Sequence, residues 1–114
     1  MGRFILDKLK RSKFRGAIHL NEFEMEKVIF DGLEKVGREG YEILDKRVRV
    51  LRKNDGKQTP WKGHPVFIAQ HATATCCRKC IEKWHKIPKE KVLEDVEMKY
   101  LLNLILVWLE GEVK

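Results

Sequence analysis

Apolar residues recur along this chain mostly at helical spacing. Phe4, Ile5 and Leu9, with Met1, predict a short amphipathic helix ending near Arg11. Asn21 followed by Glu24 is a capping-box-like start, because a side-chain oxygen can take an orphan amide of the first turn. Phe23, Val28, Ile29, Phe30 and Leu33 then predict one apolar face, with a possible stop or kink at Asp31-Gly32. Leu33, Val36, Tyr41, Leu44, Val48 and Leu51 continue that spacing, although Gly37 and Gly40 each cost about 1 kcal/mol in a helix interior. Residues 53–63 concentrate the loop signals: Asn54-Asp55-Gly56, Thr59-Pro60 and Gly63.

Pro65 to Ala69 is a short apolar run that suits a strand or a helix equally. Thr75 can cap a helix beginning near Cys76, and Ile87-Pro88 should stop it. The clearest element is an amphipathic helix over about 92–110, with Val92, Val96, Tyr100, Leu101, Leu104, Ile105, Trp108 and Leu109 on a broad apolar face and Gly111 as terminator. No hairpin signal occurs. The expectation is a mainly α, compact single domain over 1–114, with a Cys/His site on a loop or short central element at 64–85.

Length and composition agree with that picture. The 114 residues are 43% hydrophobic, enough for one core, and the charged fraction of 36% exceeds the usual ~25%. No segment reaches the ~18 apolar residues of a membrane span. The first residues lack the apolar core of a signal peptide, so a cytoplasmic location is expected. In that reducing setting, three cysteines within five residues argue for metal or thiol chemistry over a disulfide framework.

The net charge of +7 is blocky. Residues 1–20 hold six basic and one acidic side chain, and 46–63 hold seven and one. Residues 21–45 hold three and eight, and 78–91 six and two. Arg47, Arg49, Arg52, Lys53, Lys57 and Lys62, with Arg78, are therefore candidate phosphate contacts to DNA or RNA, unless acidic helix faces neutralise them. No aromatic-rich run accompanies them, and Trp61 and Trp84 are expected to pack rather than to stack on bases.

The densest chemistry runs from His71 to His85. Cys76, Cys77 and Cys80 with His71 and His85 mix thiolate and imidazole, which suits zinc; thiolates alone suit an iron–sulfur cluster. A helix over 76–86 would put Cys76 and Cys77 on the face of Cys80 and turn His85 away, favouring His71 as fourth ligand. A knuckle at Cys77–Cys80 would bring His85 within reach instead. Arg78, Lys79 and Lys83 could offset the thiolate charge. The competing readings are small buried cysteines without chemistry, a Cys77/Cys80 redox pair, and a metal- or thiol-dependent enzyme. A zinc deaminase is unsupported, since Ala72-Thr73 follows His71 where that chemistry needs a Glu. His64 could add a ligand or base; His19 is expected to be structural or exposed.

The segment from Gln58-Thr59-Pro60-Trp61-Lys62-Gly63-His64-Pro65 through Cys76-Cys77-Arg78-x-Cys80 to Trp84-His85-x-Ile87-Pro88 resembles the small prokaryotic family catalogued as domain of unknown function 4186. Arg3-Phe4 to Leu9 and Phe14-Arg15 to His19-Leu20 resemble it too, so the likeness spans nearly the whole chain. It implies that His64, His71, Cys76, Cys77, Cys80, Trp84 and His85 form one site. It implies no particular activity.

Overall fold

The computed structural model describes the backbone of residues 2–114 and the side chains from Phe4 onward; Met1, counted above in the first helix, lies outside the described residues. Five helices follow one another: α1 (Gly2–Arg11), α2 (Glu22–Arg47), α3 (Pro65–Ala72), α4 (Arg78–His85) and α5 (Asp95–Glu112), with a 3-10 turn at Arg15–Ala17 after α1. The described residues contain no strand, so the mainly α expectation stands.

The Asn21 cap forms as its spacing predicts. Its side chain accepts from Glu24 N at 2.8 Å, and the Glu24 carboxylate accepts from Asn21 N at 2.9 Å. The kink at Gly32 is real: φ is +85° and ψ 154°. A Cβ there would meet nothing within 4 Å, so backbone conformation rather than space demands glycine. Before the kink the expected apolar face is only partly used. Val28 is buried and Met25 packs on the core, but Phe23 and Phe30 are 85% and 91% exposed. They lie seven residues apart on the other side of the helix, away from the core.

Beyond the kink, Val36, Gly37, Gly40 and Leu44 face α5 and α3. Gly40 is a close-approach position, where an added Cβ would stand 3.0 Å from Leu102 Cδ1. From α5, Met98, Leu101, Leu104, Ile105, Trp108 and Leu109 fill the centre. Leu6 and Leu9 of α1 and Val66, Ile68, Ala69 and Ala72 of α3 close around them. The start of α5 is later than its apolar pattern suggests. Glu94 and Glu97 form a reciprocal cap, and Val92 and Val96 are exposed. At the other end the helix runs through Gly111 to Glu112.

The ambiguous run at 65–69 is helical. His64 accepts from Val66 N through its ring nitrogen at 3.0 Å, and Pro65 occupies the first helical position, where its missing N–H costs nothing. Among the described residues, no helix is long and apolar enough to cross a membrane.

Two substitutions test this packing. Leu104→Ala should lower stability by about 2–5 kcal/mol through lost burial and a cavity. Gly40→Val should cost roughly 1–3 kcal/mol by overpacking against Leu102. Urea denaturation of each variant measures both.

Candidate metal centre

The link between α3 and α4 turns sharply. Thr73 caps α3, Ala74 takes a left-handed φ of 58°, and Cys77 is extended at φ −161°. Cys77 is itself the cap of α4, its sulfur accepting from Cys80 N at 3.4 Å. The helix thus begins after Cys77, at Arg78 rather than near Cys76, and Thr75 instead bonds Thr73 Oγ1 in the interior. Cys76 and Cys77 stand in the turn while Cys80 lies in the first helical turn. This brings all three sulfurs within 4.8 Å of one another. Cys76 and Cys77 are buried and Cys80 is half-buried.

Polar groups from the 53–63 loop hold this arrangement. The Asp55 carboxylate accepts from Arg78 N at 2.9 Å, Lys79 N at 3.0 Å and Gln58 Nε2 at 2.9 Å. Burial opposes its ionisation, but these hydrogen bonds outweigh it and hold Asp55 below the usual carboxylate range. Thr59 Oγ1 donates to Cys76 O at 2.7 Å. On the open side, Arg15 Nη2 donates to Cys80 Sγ at 3.2 Å and Arg15 Nη1 to His71 O at 2.5 Å. Cys80 is the most acidic of the three thiols: Cys76 and Cys77 hydrogen-bond to its sulfur, and the Arg15 guanidinium lies beside it. The same hydrogen bonding, with burial, pushes Cys76 up. Arg15 was not among the residues expected to offset thiolate charge. Its partners lie 56 and 65 residues away, and nothing local in Phe14-Arg15-Gly16 announces them.

The two histidines are placed differently. The His71 ring stacks on Trp61 with centroids 3.6 Å apart and planes 5° apart. Its Nε2 donates to both Thr59 O and Pro60 O at 3.1 Å, which leaves Nδ1 with the lone pair. His85 uses both nitrogens: Nε2 donates to Thr73 O at 2.8 Å and Nδ1 lies 3.2 Å from Tyr100 Oη. Burial lowers the pKa of both rings. Among the described residues, the mutually close ligand atoms are the three sulfurs, without either imidazole. His64 lies outside this group. It caps α3 and pairs with Glu39 at 2.8 Å, which holds that carboxyl below its usual range. His19 is exposed and meets Glu112 at 3.0 Å.

The basic candidates divide as well. Arg78 needs correction: it is 0% exposed and unavailable to a phosphate. Its guanidinium donates to Arg49 O, Lys91 O and Pro88 O at 2.8–3.0 Å. Arg49 is half-buried and pairs with Asp45 and Asp95. Arg47 donates to Gln58 O at 2.6 Å and lies over Phe67. Arg52 is exposed and donates to Lys46 O, while Lys53, Lys57 and Lys62 are exposed and make no ion pair among the described residues. Trp61, expected to pack, is 52% exposed.

Residues 3–110 match the family described as domain of unknown function (DUF4186). The chain belongs to that family. No solved structure matches it. In this DUF4186 member the matched span includes the cysteine turn, both flanking histidines and Arg15.

Arg78→Ala should remove roughly 2–4 kcal/mol of stability, since it leaves buried carbonyls unpaired; chemical denaturation measures it. Burial keeps His85 neutral, with a folded pKa below its ordinary 6.5. Its contribution to stability is therefore complete above that value and lost as the pH falls through the folded pKa. The urea midpoint should drop between pH 7 and pH 5, and drop less in His85→Gln.

Proposed function

We propose that Cys76, Cys77 and Cys80 hold one zinc ion, with His71 Nδ1 as the fourth ligand. The observation that carries this reading is the convergence of three sulfurs within 4.8 Å at the start of α4. Tetrahedral zinc with Zn–S distances of about 2.3 Å sets its sulfurs about 3.8 Å apart, a small contraction from that limit. Charge supports the choice. Three thiolates and Zn²⁺ leave one negative charge in a largely buried site, and the Arg15 guanidinium on Cys80 Sγ balances it.

Of the two histidines, His71 suits the fourth position. Its Nε2–H on backbone carbonyls is the arrangement that orients a ligating imidazole and leaves the other nitrogen for the metal. His85 already has partners on both nitrogens. The ion would tie α3, the link after it and α4 together, and its binding energy would add to folding.

The second reading concerns nucleic acid. Arg52, Lys53, Lys57 and Lys62 stay exposed on the loop leading into the centre, and the nearest loop carboxylate, Asp55, is committed to α4. The function so read is a zinc-stabilised domain that binds DNA or RNA through this loop.

Protein purified without an affinity tag should contain about one zinc per chain. Cys80→Ser should lose it, and chelation should lower the thermal midpoint. A chain free of stoichiometric metal, or a Cys80→Ser variant that keeps its zinc, contradicts the reading. A brown preparation with visible absorbance would replace zinc by an iron–sulfur cluster.

A further inference from the structure

We infer that the surface over the cysteine centre is a stacking platform for single-stranded nucleic acid. This rests on the nucleic-acid reading above and narrows it. The linear sequence has no aromatic-rich run, but the fold assembles one from three distant segments. Phe14 and Trp61, 58% and 52% exposed, meet edge to face with centroids 6.0 Å apart. The Arg15 guanidinium lies 5.5 Å from the Phe14 ring and 5.9 Å from the Trp84 ring. Lys8 Nζ lies 5.9 Å from the centroid of the Trp84 ring. The resulting row runs Trp61–Phe14–Arg15–Trp84–Lys8, two exposed rings followed by a guanidinium, a third ring half-buried against the core, and an ammonium.

The row is preorganised. One face of Trp61 is backed by the His71 ring at 3.6 Å, and that ring is fixed by two backbone carbonyls. A ring held this way loses little freedom when a base stacks on it. Each aromatic also has an exposed lysine beside it in the chain: Lys13 before Phe14, Lys62 after Trp61, and Lys83 before Trp84. The carboxylates of these segments, Asp7, Asp55 and Glu82, are fewer than the cations Lys8, Lys13, Arg15, Lys62 and Lys83 around the rings, and Asp55 and Glu82 accept from backbone amides. Base faces are reachable for such stacking when the strand is unpaired, and a basic surface tracks the phosphates between them. A duplex hides those faces, so the rings favour a single strand.

The test uses the full chain as purified and three fluorescent probes: a 12-nucleotide oligo-dT, a 12-nucleotide oligo-U and a 12-base-pair duplex. Anisotropy should show single strands bound more tightly than duplex, with quenching of tryptophan fluorescence and affinity falling steeply with salt. Trp61→Ala and Phe14→Ala should each weaken single-strand binding roughly 5- to 150-fold, the span of one lost stacked base. Their salt slope should stay near that of the parent, whereas Lys62→Gln should reduce the slope by about 1. Trp61→Phe should retain most of the affinity, which separates a lost stacking face from a disturbed fold; zinc content and far-UV circular dichroism are measured on every variant. Duplex bound as tightly as single strand, or full affinity in both alanine variants, overturns the platform and leaves the broader reading standing. No binding to any probe at low salt overturns both.

Discussion

The start of α4 is held from two sides, and the cysteine centre depends on that. α4 is short and packs little against the other helices; Ile81 is its one fully buried apolar residue. Hydrogen bonds do what apolar area does elsewhere in the fold. Asp55 takes the first two amides of the helix, and the buried Arg78 guanidinium gathers three carbonyls from the segments on either side. Burying a guanidinium is costly, and burial lowers the Arg78 pKa, so the arrangement survives because most of its donors are satisfied. Its Nε has no partner. The result is a rigid polar frame that places Cys77 at the cap and Cys80 in the first turn.

Within that frame the sulfurs are mutually dependent. They can be close as one thiolate served by two thiols, with Arg15 steadying the charge, or as three thiolates on a cation. The second state loses protons to gain an ion, so loading the site becomes pH-dependent. Arg15 gives the centre reach: by bonding both Cys80 Sγ and His71 O it joins the 3-10 turn to α3 and α4. The same residue separates Phe14 from Trp84 on the surface, so an event at the sulfurs is one side chain away from the exposed rings.

Much of the helical framework was legible in the sequence because local chemistry dictates it. The Asn21–Glu24 cap, the Gly32 kink and the apolar stripe of α5 depend on neighbours within a turn or two. Cysteine spacing likewise carried the cluster. The less legible features depend on distance along the chain. Arg78 looked like one more cation in a basic block, and nothing nearby shows that its guanidinium ends among carbonyls 10 to 29 residues away. Arg15 has the same character. Phe23 and Phe30 misled because helical spacing alone does not say which side of the segment meets the core; Met25 and Val28 take that side. The ring row at Trp61 and Phe14 is a tertiary product of the same kind.

X-ray absorption at the zinc edge of the purified protein tests the centre most directly. The account predicts three sulfurs at about 2.3 Å and one nitrogen at about 2.0–2.1 Å, with the nitrogen shell lost in His71→Ala and retained in His85→Gln. A four-sulfur shell, a nitrogen shell that persists in His71→Ala, or an absence of bound zinc would contradict it.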